Sequence, residues 1–257
     1  MGKNTTYLID LDGTMYCGNT LILGAKVFID WLLEKNIPFL FLTNNATRTA
    51  RQNVEHMERL GFQGIREEHF FTSAMASARY VAKESSLRKA FVIGMEGLRE
   101  ALLKEGFQIV EKNADFVFVG LDKNANYRRY SDALAQLLNG AQLIGTNFDR
   151  MIATSEGFDV GNGAIVHMLE YASGQTSPRI GKPYAPILEL AMEAHGLTKE
   201  DVILIGDNLE TDIRLGYEQD VRTIFVTTGV HHPSDMERLA IYADRVVDDL
   251  RELISEE

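Results

Sequence analysis

Four short, largely apolar runs constrain the fold more than any other feature of the chain: Tyr7–Leu11, Pro38–Leu42, Val202–Ile205 and Thr223–Val226. Each is bounded by turn-forming residues and is too short to be a buried helix, so each is predicted to be a strand. Strands that do not alternate apolar with polar are buried on both faces, as in a parallel sheet covered by helices. Helical stretches separate them. Thr47 to Leu60 is expected to open on a threonine cap and stop at Gly61, and Ile187, Leu190, Ala191 and Ala194 fall on one helical face closed by Gly196. This alternation predicts an α/β fold with a doubly wound, mostly parallel sheet.

The middle of the chain has its own strands, in KAFVIG, DFVFVG and AQLIGTN, with helical patterns at Leu98–Leu103, Tyr130–Leu138 and Ala164–Ala172. Polar, Gly/Pro-bearing stretches flank this region at 85–89 and 173–183, as at domain crossings. The expected organisation is a discontinuous core, residues 1–79 plus 178–257, with an inserted α/β domain at 80–177.

Composition narrows the function. Of 257 residues, 26 are Lys or Arg and 37 are Asp or Glu, a net charge of −11, which argues against general nucleic-acid or anionic-membrane binding. A single cysteine, Cys17, excludes an intrachain disulfide and fits a reducing compartment. MGKNTTYLID lacks the apolar core of a signal peptide, and its match to the loose myristoylation pattern has no basic cluster beside it. No apolar run approaches the ~20 residues that span a bilayer. The expected location is the cytoplasm, with no membrane or nucleic-acid partner.

The core strands end in groups that are wasteful in a core: Asp10-Leu-Asp12-Gly-Thr14, Thr43-Asn44-Asn45 and Asp207-Asn208, with Lys182 just before a helix. Ligands of open α/β sheets bind at the carboxyl ends of the strands, so these pieces are expected to converge. Asp10, Asp12 and Asp207 would repel one another in a partly buried cleft. A hard divalent cation relieves that repulsion, and Mg²⁺ suits a few carboxylates plus phosphate oxygens. Lys182, Thr43 and Asn44 would hold the remaining phosphate oxygens, which is the combination phosphoryl transfer requires. Residues i and i+2 of a strand share a face, so Asp10 and Asp12 can address one cleft if the extended geometry reaches that far. One would attack phosphorus; the other would protonate the leaving oxygen and then activate water.

Taken in order, Asp10-Leu-Asp-Gly-Thr14, Thr43-Asn44, Lys182 and Gly206-Asp-Asn-Leu-Glu-Thr-Asp212 resemble the four motifs of the haloacid dehalogenase (HAD) superfamily. LDGTMYCGN, FLTNNATRT, FTSAMA, DFVFVGLD and LIGTNFD are similar to its NagD-like branch, so the resemblance covers nearly the whole chain. It implies a HAD core with a large inserted α/β (C2-type) cap that closes over substrate. It also implies a Mg²⁺-dependent phosphatase of small phosphate monoesters, of the sugar phosphate or nucleoside monophosphate type, working through an aspartyl-phosphate. In that reading Asp10 is nucleophile and metal ligand, Asp12 is acid/base and binds metal through its backbone carbonyl, and Asp207 is a further ligand. Thr43, Asn44 and Lys182 bind phosphate, and Asn208 and Asp212 are supporting. GNG at 161–163 and the missing proline after TNFD depart from the branch's pattern, in the cap.

Two other readings use the same residues: a phosphomutase, and a phospho-acceptor signalling module, which the length and the inserted domain disfavour. Cys17 is read as a small packing residue and His231-His232 as a surface loop. The Tyr127–Tyr130 cluster is read as a solvated helix face. Asn147 and Asp149 follow a strand, where substrate contact competes with a structural role. Oligomeric state stays open, since no exposed apolar stripe marks an interface.

Overall fold

The computed structural model describes residues 5–154 and 157–254; the start of the myristoylation-like pattern lies outside them. The chain forms two compact units: Met1–Thr43, Ala50–Phe71 and Ala191–Glu257 make the first, Asn44–Thr49 and Thr72–Leu190 the second.

The first unit is built on a six-stranded sheet in the order Arg245–Val247, Arg222–Val226, Val202–Gly206, Thr6–Ile9, Phe39–Thr43, Phe70–Thr72. Thr6–Ile9 pairs in parallel with both neighbours, Ile9 opposite Ile205 on one side and Phe41 on the other. The chain winds outward from this strand in one direction, then returns to its other side at Val202. The switch point of the α/β sheet therefore lies between Thr6–Ile9 and Val202–Gly206, where ligands of such sheets bind. Tyr7, Ile9, Phe41, Ile203 and Ile205 join Phe28, Ile29 and Leu32 in one buried cluster. Those last three lie on the buried face of helix Ala25–Glu34, in an i, i+1, i+4 pattern.

The second unit carries a four-stranded parallel sheet in the order Gln108–Ile109, Lys89–Ile93, Phe116–Val119, Gln142–Gly145. Its helices Glu96–Lys104, Tyr127–Leu138 and Asn162–Ser173 extend each predicted stretch by a residue or more. An antiparallel hairpin, Met151–Thr154 with Gly157–Val160, was not anticipated. Its core centres on Phe91, Ile93, Val117, Val119 and Leu137.

Four local expectations need correction. The helix expected from Thr47 begins at Ala50, because the Thr47 N–H and Oγ1 both donate to Asn45 Oδ1, at 3.1 and 2.6 Å, forming a turn instead of a cap. Cys17 is exposed in the short hairpin Tyr16–Cys17/Thr20–Leu21 and packs no core. His231 is buried, since the loop carrying it folds inward to accept the Leu209 N–H on Nδ1 at 3.2 Å. In the Tyr127–Tyr130 cluster, Arg129 is tied down: its guanidinium lies 3.9 Å from the Phe91 ring centre and donates to Val92 O. Tyr127 is exposed as expected.

Replacing the fully buried Phe41 by alanine removes a ring packed on Phe39 and Phe70. The expected loss is about 3–5 kcal/mol, measured by denaturant unfolding, against less than about 0.5 kcal/mol for the exposed Leu23→Ala.

Candidate active site

In the first unit, Asp10 follows the central strand directly, and its N–H donates to Ile205 O at 2.8 Å, continuing the ladder by one residue. Asp207 follows the neighbouring strand in the same way. The parallel register thus brings two carboxylates side by side at the switch point. Asp212 joins them from the turn Leu209–Ile213. Asp10, Asp207 and Asp212 are all buried, and each offers a carboxylate oxygen within 4.8 Å of the others.

Asp207 and Asp212 are held by hydrogen bonds. Asp207 accepts from Thr14 Oγ1 on Oδ1 at 3.2 Å and from the Val230 N–H on Oδ2 at 2.9 Å. Gly13, at φ +95°, and Gly229 both press their backbones against that carboxylate, and a Cβ at either would overlap it. Thr228 Oγ1 donates to Gly13 O at 2.8 Å, tying the two glycine-bearing loops together. Asp212 accepts from the Asn208 N–H at 3.3 Å, while Asn208 Oδ1 caps the following turn through the Glu210 N–H at 2.9 Å. Asp212 was expected beside the site, and it stands in the carboxylate cluster itself. The roles of Thr14, Gly229 and Val230 carried no sequence signal beyond the DGT triplet.

Asp12 is exposed. The strand ends at Ile9, and the chain then turns tightly: the Met15 N–H donates to Leu11 O at 2.8 Å and the Gly13 N–H to Tyr16 O at 2.8 Å. Asp12 lies beyond the end of the strand, in an isolated bridge with Tyr16. Thr43, the last residue of its strand, is buried.

The second unit begins at the next residue and holds Asn44 and Lys182, which is also buried. The Lys182 N–H donates to Asn44 Oδ1 at 2.8 Å, and Asn44 Nδ2 donates to Lys182 O at 2.9 Å. Asn44 Nδ2 also donates to Asp149 Oδ2 at 2.9 Å. The side chain of Asn44 is thus spent on the backbone of Lys182 and on Asp149.

Three buried like charges this close repel by on the order of 3 kcal/mol per pair at an effective dielectric of ~20. All their donor atoms are hard oxygens. That donor set fits a hard divalent cation, which prefers carboxylates and leaves positions for water or phosphate oxygens.

Comparison with known proteins shows the family. A model of haloacid dehalogenase-like hydrolases matches residues 7–108, and a second, HAD-hydrolase-like model matches residues 179–253. The chain is 38% identical over 236 residues to the 5'-nucleotidase YutF of Bacillus subtilis, covering 90% of this chain and 92% of that one. It is 38% identical over 257 residues to the acid sugar phosphatase of Staphylococcus saprophyticus, covering 100% and 99%. The solved structure of NagD from E. coli superposes with a TM-score of 0.88 at 30% identity, over 98% of each chain. The chain belongs to the haloacid dehalogenase-like hydrolases, in their NagD-like branch. It is a phosphoric monoester hydrolase. Among the described residues, no helix is long and apolar enough to cross a membrane.

Gly13→Ala is expected to displace the Asp207 carboxylate and strain the turn, lowering activity at least tenfold and stability by about 1–3 kcal/mol; turnover and a melt on the same sample check both. The buried imidazoles set a pH dependence. Desolvation lowers the His231 and His69 pKa values from the ordinary 6.5, with nearby Arg66 adding to the effect at His69. Below pH ~6.5 the unfolded chain therefore binds protons that the folded chain refuses, and stability falls as pH falls. Melting midpoints from pH 7 to 5.5 should decline, and His231→Gln should flatten the decline.

Proposed function

We propose that the chain hydrolyses small-molecule phosphate monoesters, of the sugar phosphate or nucleoside monophosphate type, by a Mg²⁺-dependent route through an aspartyl-phosphate on Asp10. The observation that carries this reading is the trio of buried carboxylates at the switch point, Asp10, Asp207 and Asp212. The names of the two relatives, a 5'-nucleotidase and an acid sugar phosphatase, support the substrate class.

Asp10 and Asp207 would hold the cation through their carboxylates, Asp12 through its backbone carbonyl, with Asp212 beside them. When bound, a divalent cation neutralises the cluster and draws charge from the phosphoryl oxygens. The remaining chemistry belongs to the chain. An Asp10 oxygen attacks phosphorus in line as the bond to the ester oxygen breaks. Asp12 donates a proton to that departing oxygen, a task suited to its exposed side chain. Asp12, now ionised, takes a proton from water, whose oxygen attacks the phosphoryl group and releases Asp10 and inorganic phosphate. Thr43, Asn44 and Lys182 bind the phosphate oxygens in this reading. Since both amide hydrogens of the Asn44 side chain are engaged, its contribution is assigned to its backbone N–H. We propose that the enzyme acts in the cytoplasm, consistent with its single exposed thiol.

Phosphate release from a panel of sugar phosphates, nucleoside monophosphates and p-nitrophenyl phosphate tests the reading. Release should require Mg²⁺, stop with EDTA, and vanish in Asp10→Asn while the melt stays intact. Undiminished turnover by Asp10→Asn would sink the assignment.

A further inference from the structure

The second unit contains a chain of side-chain amides, Asn162 and Asn147 buried and Asn44 half-buried, that leads to Lys182. Asn162 Nδ2 donates to Asn147 Oδ1 at 3.1 Å, and Thr146 Oγ1 donates to the same oxygen at 2.9 Å. With its oxygen facing two donors, the Asn147 amide must turn its nitrogen the other way. Nδ2 meets Asp149 Oδ2 at 2.5 Å. The same Asp149 oxygen receives Asn44 Nδ2 at 2.9 Å. Asn44 then grips both backbone groups of Lys182, its oxygen accepting the N–H and its nitrogen donating to the C=O. No amide in this chain can flip without setting like groups against each other.

Two further observations bear on Asp149. Burial pushes its carboxyl pKa up, against the pull of the Asn147 and Asn44 hydrogen bonds and of the Lys182 charge. A carboxylate kept where its charge is disfavoured, and compensated by two amides, is costly unless it does something. The chain before Lys182 is also shaped to the clasp. A Cβ on Gly181 would come within 2.8 Å of Asn44 Oδ1 and 2.6 Å of Thr146 O, so only glycine lets that segment lie so close.

We infer that Asp149 is a positioning residue for Lys182: it fixes the Asn44 amide, which in turn fixes the Lys182 backbone and hence the origin of the ammonium-bearing side chain. Asp149 touches no substrate in this role. The competing role for Asp149, substrate contact, would leave the Lys182 backbone indifferent to it. The inference rests on the phosphate-binding role proposed for Lys182, and the test separates the two.

The experiment compares the wild-type chain with Asp149→Asn, Asp149→Ala, Asn44→Ala, the double alanine variant and Lys182→Ala. It reads amide hydrogen exchange at Lys182 and inhibition of p-nitrophenyl phosphate hydrolysis by inorganic phosphate. Asp149→Ala should speed exchange at the Lys182 N–H about tenfold and weaken phosphate inhibition by a similar factor, raising KM more than it lowers kcat. Asp149→Asn keeps an oxygen able to accept from both amides and should retain most of the protection. The double variant should be no worse than the worse single one, since both act through one clasp. Unchanged exchange at Lys182 in a folded Asp149→Ala or Asn44→Ala chain, or additive losses in the double variant, overturns the inference. Faster exchange with phosphate inhibition unmoved, in Lys182→Ala as well, supports the clasp and refutes the phosphate role of Lys182.

Discussion

Carboxylates do not tolerate one another's company in a protein interior, and everything about the first unit's sheet end follows from three of them being there. Asp10 and Asp207 are adjacent because the strands they end are hydrogen-bonded neighbours, in a register that opposes Ile9 to Ile205. The same pairing that buries the apolar strand residues therefore forces the charges together. Together their oxygens make a donor set that a hard divalent cation fits, so that donor set is a by-product of sheet register.

A cluster of this kind must be restrained, since ionised side chains otherwise swing apart. The restraint is mostly backbone. Two glycines close on Asp207, and main-chain N–H groups of Val230 and Asn208 reach Asp207 and Asp212. Backbone donors have no rotamers to lose, so they hold a carboxylate without the entropy cost of a long cationic partner. In the second unit the task is done by side-chain amides, whose donor and acceptor ends let one residue clasp both sides of a peptide, as Asn44 does at Lys182.

The strands were legible because apolar runs with sharp polar ends have few other readings, and the α/β class followed from their alternation with helices. The edge strands Phe70–Thr72 and Arg245–Val247 escaped notice, being three residues each and too brief for a period to emerge. Asp10 and Asp207 were readable as strand-end charges. Asp12 was readable as a third charge beyond the strand end, and it stands exposed just before the turn at Gly13. Thr47 looked like a cap, and a two-residue hydrogen bond from Asn45 claimed it first. The burial of His231 depends on a contact with Leu209, 22 residues earlier, which no local pattern encodes.

The sheet order has a bearing on how the molecule comes into being. Of this sheet's strands Thr6–Ile9 is the first to be made, yet one of its two partners, Val202–Gly206, follows only after Phe39–Thr43, Phe70–Thr72 and all the strands of the second sheet. Until then one edge of that strand is exposed, and Asp207, with the Val230 loop that grips it, does not yet exist to meet Asp10. Pairings this distant in the chain close slowly. The carboxylate cluster therefore forms only when these distant segments have met.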